Sequence, residues 1–138
     1  MKDWHAETIF CDDIRIEENG KHILIGVYGV DLVPALIPVT IQIGIWVRFW
    51  GLAEGRRKFK VRLLDPSDRE AASFDGDTEI ARNDAPTIFS VSGLSVGIEG
   101  TGEIVVQFAF DNEDLVEIGR LKVSPPPGSA QPFASKSS

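Results

Sequence analysis

The chain has 138 residues, the length of one domain that can bury a core without disulfide or metal staples. Its formal net charge is −7, which argues against the basic field of a nucleic-acid-binding domain. Hydrophobic content of 43 % and charged content of 25 % are ordinary for a soluble globular protein. Cys11 is the single cysteine, so no internal disulfide can form and nothing points to an oxidising compartment. The opening Met-Lys-Asp-Trp-His has no apolar run of signal-peptide length. The longest apolar-rich stretch, Val39 to Trp50, is interrupted by Thr40, Gln42 and Arg48 and is too short to cross a bilayer. The expected setting is cytoplasmic, with neither a membrane nor nucleic acid as partner.

Residues 7–28 read as a hairpin around Asn19-Gly20, a pair suited to a two-residue type I′ turn. That turn sets Ile16 opposite Ile23, Ile14 opposite Ile25 and Asp12 opposite Val27. Ile14, Ile16, Ile23, Ile25 and Val27 then form one apolar face to bury. Asp12 would point into the core unless a bulge at Asp12-Asp13 resets the alternation and turns Ile9 and Cys11 inward. The bulge is favoured, because an unpaired buried carboxylate is costly. His5 is expected in a mobile N-terminus.

Gly29 to Pro38 reads as a loop delimited by Pro34 and Pro38. From Val39 to Gly51 the odd positions Val39, Ile41, Ile43, Ile45, Val47 and Phe49 are all apolar and the even ones mixed. Period-two patterning with β-branched and aromatic side chains predicts a central strand with one buried face. Lys58 to Asp65 is the next strand, with Phe59, Val61 and Leu63 inward and Lys58, Lys60 and Arg62 outward. Asp65-Pro66-Ser67-Asp68 is a turn. Glu70 to Arg82 reads as edge strand or loop, with Asp75-Gly76 able to turn a short hairpin. Pro86 to Ile98 resumes strand character, with Gly93 and Gly97 suggesting a kink. Glu103 to Phe110 alternates cleanly, and Leu115 to Val123 is the last strand.

The fold class is therefore all-β: an antiparallel β-sandwich of seven to nine strands, immunoglobulin-like in architecture but without a Cys pair. Residues 1–124 form the single domain. Residues 125–138, Pro-, Ser- and Ala-rich with Phe133 their one large apolar side chain, are expected to be a disordered tail.

Two clusters stand out as binding surfaces. Trp46, Arg48 and Trp50 share one strand face, where an Arg flanked by two indoles can stack on both. If open, that face suits a protein partner or self-association; a loop, the tail or a second layer could equally cover it. Arg56, Arg57, Lys58, Lys60 and Arg62 gather in an otherwise acidic chain, and Lys58, Lys60 and Arg62 are expected beside the tryptophan face. They could meet an anionic ligand or simply protect an exposed strand from edge pairing. The acidic turns at Asp65/Asp68, Asp75/Asp77/Glu79 and Asp111/Glu113/Asp114 match no calcium loop and read as solvated turns. The two histidines, His5 and His22, and the neighbours Asp12-Asp13 make no catalytic constellation, and no cofactor or metal motif is present. Cys11 reads as a small buried hydrophobe. The expected function is a non-enzymatic interaction module. The alternative is small-ligand or glycan binding through Trp46, Arg48 and Trp50 with the basic strand.

The segment Phe10-Cys11-Asp12-Asp13-Ile14-Arg15-Ile16, its Asn19-Gly20-Lys21 turn and the Leu24-Ile25-Gly26-Val27-Tyr28 strand resemble the opening of a family of small bacterial proteins of unknown function. Val47-Arg48 and Arg62-Leu63-Leu64-Asp65-Pro66 are similar to later strand ends of that family. The resemblance covers the first half of the chain. It implies a β-sandwich and a bacterial cytoplasmic setting, and it carries no catalytic residues. Far-UV circular dichroism should show a β-dominated spectrum. Helical content above about a quarter, against the usual third, would contradict the all-β reading.

Overall fold

The computed structural model describes residues 3–128. Among them are nine strands: β1 (His5–Ile16), β2 (His22–Val27), β3 (Asp31–Leu32), β4 (Val39–Trp50), β5 (Gly55–Leu64), β6 (Glu70–Ile80), β7 (Thr87–Ile98), β8 (Gly102–Phe110) and β9 (Val116–Val123). They form a four-stranded sheet in the order β2-β1-β4-β7 and a five-stranded sheet in the order β3-β9-β8-β5-β6. Every pair is antiparallel except β3 with β9. The two sheets pack face to face as a sandwich, the architecture that one-sided alternation calls for.

The core is made where the alternating faces meet. Ile43, Ile45, Val47 and Phe49 of β4 are buried, as are Val61 and Leu63 of β5 and Ile104, Val106, Phe108 and Phe110 of β8. Aromatic rings bridge the sheets: Phe49 lies 4.7 Å from Phe108, and Phe89 of β7 lies 5.2 Å from Phe59 and 5.3 Å from Phe108. Each such pair adds about 0.5–1.5 kcal/mol beyond the burial of its area. Trp4 joins this cluster edge-on, 5.4 Å from Phe49 and 5.5 Å from Phe110. The chain is thus anchored just before β1, and His5 is the first residue of that strand rather than part of a mobile N-terminus. Arg57 closes the same end of the core, its guanidinium 5.4 Å from the Phe110 ring centroid and bonded to Asp111 at 2.6 Å.

The first hairpin departs from the expected register by one residue. Ile16 pairs with His22, Ile14 with Leu24 and Asp13 with Ile25. The loop has three residues: Gly20 N donates to Glu17 O and Glu17 N to Lys21 O, both at 2.8 Å. Gly20 has φ of 88°, whereas Asn19 is not among the residues of positive φ. Asn19 instead accepts a hydrogen bond from Lys21 N through its side chain, 3.0 Å. One residue of slip exchanges the faces of the strand. Ile14 is buried, but Ile16, Ile23, Ile25 and Val27 are exposed instead of forming a buried stripe.

The expected bulge at Asp12-Asp13 is absent, since the pairing with β2 runs through it unshifted. Asp12 escapes burial another way. Its carboxylate is exposed, lies over Gly26 and accepts a 2.6 Å hydrogen bond from the Tyr28 hydroxyl. Gly26 has φ of 70°, and any Cβ there would come within 2.2 Å of the Asp12 Oδ2 atom, so glycine is required on two counts. Burial and the Asp12 bond push the Tyr28 hydroxyl up to about 12. Cys11 is fully buried and Ile9 half-buried.

Elsewhere the expectations and the strands agree closely, with three differences. Glu70 to Ile80 is one continuous edge strand with no turn at Asp75-Gly76, and Gly76 pairs with Phe59, whose ring lies against it. The loop before β4 contains the short β3, which runs parallel to β9. The kink in β7 is a bulge at Gly93, φ of 75°, where pairing with β4 shifts between Ile43 and Ile45. The last ten residues of the expected tail, 129–138, lie outside the described residues. Gly20→Val should cost about 1–2 kcal/mol, the penalty for a left-handed side-chain-bearing residue. Asn19→Ala should cost less, because only a side-chain cap is lost. Equal losses in denaturant unfolding would indicate a two-residue turn.

Candidate functional site

Because the odd residues of β4 enter the core, Trp46, Arg48 and Trp50 stand on the outer face of the four-stranded sheet. Pairing with β1 sets Ile9 beside Trp46, Glu7 beside Arg48 and His5 beside Trp50. Pairing with β7 sets Ser90 beside Trp46 and Ile88 beside Arg48. The guanidinium carbon of Arg48 sits 5.6 Å from one indole centroid and 5.5 Å from the other, the stacked arrangement expected from the spacing. The β1–β2 hairpin covers the Gly44–Trp46 part of this face, placing His22 against the Trp46 indole and Ile14 against Gly44. The Arg48 side chain is 39 % exposed and Ile88 43 %.

Neighbouring strands fix the ladder. Arg48 Nε donates to Glu7 Oε1 at 2.8 Å, and Trp50 Nε1 donates to the same oxygen at 3.4 Å. Trp46 Nε1 donates to His22 Nδ1 at 3.1 Å. The His5 ring lies nearly parallel to Trp50, 12° apart at 6.4 Å. The Arg48 hydrogen bond, then that of Trp50, holds the Glu7 carboxyl below the usual range. Beside the ladder on the same face, Cys11 and Ile14 pack against Gly44, where a Cβ would meet their side chains at 3.3 and 3.2 Å. The Cys11 thiol, 3.7 Å from Gly44 O, is pushed up by burial, which suits a packing role rather than a reactive one.

The basic strand is not beside this face. β5 belongs to the five-stranded sheet, so Lys58, Lys60 and Arg62 point out from the opposite side of the sandwich. There they meet carboxylates of the edge strand β6. Lys58 pairs with Asp77 and Lys60 with Asp75 across the ladder, and Arg62 reaches Glu70 at 3.1 Å. A cleft on that sheet, lined by Lys60, Arg62, Glu70, Ser73, Asp75 and Leu115, therefore holds charges of both signs.

The acidic turns serve their own backbone. Asp65 Oδ1 accepts from Ser67 N and Arg69 N at 2.9 and 3.0 Å, and Asp111 Oδ1 from Lys58 N at 3.2 Å. Among the described residues no group of three His, Cys, Asp or Glu side chains is placed to hold a metal ion. Sequence reasoning missed Glu7, His5 and His22. Their only signal was period-two position in strands whose pairing partners were unknown.

Fold and face together define a β-sandwich that carries a stacked tryptophan–arginine ladder on the outer side of its four-stranded sheet. The model of a family of unknown function, DUF6941, matches residues 7–123, from within β1 to the end of β9, and the chain belongs to that family. No curated protein matches it.

A carboxyl whose pKa is depressed in the folded state keeps its contribution above the unfolded value and loses it as pH falls through the folded one. The Glu7 contacts should therefore hold at neutral pH and loosen below about pH 4.5, the ordinary value for Glu. Tryptophan fluorescence should report a step in that acidic range, absent in Glu7→Gln. The same step in both proteins would show that Glu7 does not hold the ladder.

Proposed function

We propose that this protein is a non-enzymatic interaction module of the bacterial cytoplasm that engages a protein partner through the outer face of its four-stranded sheet, centred on Trp46, Arg48 and Trp50. The observation that carries this reading is that both indole N–H groups and the Arg48 Nε–H are already bonded within the sheet. What remains to be offered is ring surface, held in place before any partner arrives. Aromatic and arginine side chains of this kind dominate interface energetics, and a preordered face loses little entropy on binding. Glu7 offsets the charge of Arg48, so the fitting partner presents aliphatic or aromatic side chains rather than an anion.

Binding of a glycan or small ligand has less support. That reading combined the ladder with the basic strand, and the two lie on opposite sides of the sandwich. The ladder also lies on a sheet surface, whereas such ligands are usually held in a concave site with convergent polar groups.

Trp46→Ala and Trp50→Ala test the proposal. Each should cost about 1–2 kcal/mol in thermal unfolding, below the ~3–5 kcal/mol of a fully buried aromatic. Each should also abolish co-purification of whatever partner the unaltered protein retains from its own cells. Large destabilisation with association unchanged would give the ladder a structural role only.

A further inference from the structure

The four sheet edges of the sandwich are not alike. β6 carries Glu70, Asp75, Asp77 and Glu79, β7 is bulged at Gly93, and β3 is two residues long. Charges, bulges and shortness are the usual protections against pairing with another chain. β2 has none of them. It is bonded to β1 alone, and its six residues, His22–Val27, contain no Lys, Pro or carboxylate. Of the eight exposed large apolar side chains among the described residues, Ile16, Ile23, Ile25 and Val27 belong to this hairpin and Val30 comes three residues after it, so the apolar surface of the described residues is concentrated here.

We propose that β2 is a self-association edge: two copies of the chain pair their β2 strands antiparallel about a two-fold axis and join their four-stranded sheets into one of eight strands. A second copy fits because the strand is self-complementary. An axis at Leu24 sets Ile23 opposite Ile25 of the partner subunit, and the reverse, burying apolar side chains that water now surrounds. Charge points the same way. At −7 the chain repels its copies over most of its surface. Beside β2, however, Arg15 is paired with Asp13 at 2.9 Å and Lys21 with Glu17 at 3.8 Å, so two copies can approach there at little cost. Six paired residues bury less than the roughly 800 Å² per partner of a standard interface, which makes the dimer weak and concentration-dependent. Added salt should strengthen it by screening the long-range repulsion. The two tryptophan ladders would then lie on one side of a common sheet.

Sedimentation velocity over a wide concentration range, at low and high salt, tests this. The unaltered protein should pass from monomer to dimer as concentration rises, more readily at high salt. The double variants Ile23→Lys/Ile25→Lys and Ile23→Glu/Ile25→Glu change exposed positions, so both should keep the fold, checked by thermal unfolding. Each alone should be monomeric, and an equal mixture should dimerise. Trp50→Ala should dimerise like the unaltered protein. A monomer under every condition, with the edge left to a peptide or another protein, would overturn the proposal. So would a lysine variant that dimerises normally, or a mixture that stays monomeric.

Discussion

The strict alternation of β4 is the constraint on which the rest of this structure depends. Ile43, Ile45, Val47 and Phe49 are at most 2 % exposed, and Phe49 is held by Trp4 from before β1 and by Phe108 and Phe110 of β8. With those side chains inside, strand geometry leaves Trp46, Arg48 and Trp50 no place but the outer face. Sliding the strand by one residue would bury the Arg48 guanidinium without its partner, a change that costs several kcal/mol. Core and candidate site are therefore two sides of one decision, and the register of the site is as secure as the packing beneath it.

The two outer faces divide the polar chemistry between them. On the five-stranded sheet, cations and carboxylates alternate across strands: Arg56 with Asp77, Arg62 with Glu70, and Arg120 with both Glu103 and Glu117. Exposed pairs of this kind contribute little stability singly. Their effect is to leave the basic strand largely neutralised and the β6 edge unattractive to other chains. On the four-stranded sheet the pair of Arg48 with Glu7 sits inside an aromatic setting. There the carboxylate orients the guanidinium between two rings and also takes the Trp50 N–H, so one charge fixes two side chains. The two sides of this acidic chain thus offer very different surfaces, one ionic and self-satisfied, the other aromatic.

Much of this was written in local patterns. Period-two runs at Val39–Trp50, Lys58–Leu64 and Glu103–Phe110 named the strands and their buried faces. The turn residues at Asp65–Asp68 and Asp111–Asp114 named the reversals. The assignment of Trp46, Arg48 and Trp50 to one outward face needed nothing but alternation within a single strand. What only the tertiary structure decided is which strands became neighbours. Asn19-Gly20 suits a two-residue loop and a three-residue loop alike, and the difference of one residue exposes Ile23 and Ile25 instead of burying them. The basic strand pairs with β6 and β8 rather than with β4. Glu7 reaches Arg48 across 41 positions of sequence, and Trp4, outside every periodic run, fills the core. The physical reason is that alternation is a property of one strand's own backbone. Sheet order and register are instead set by long-range burial, which weighs all nine strands at once.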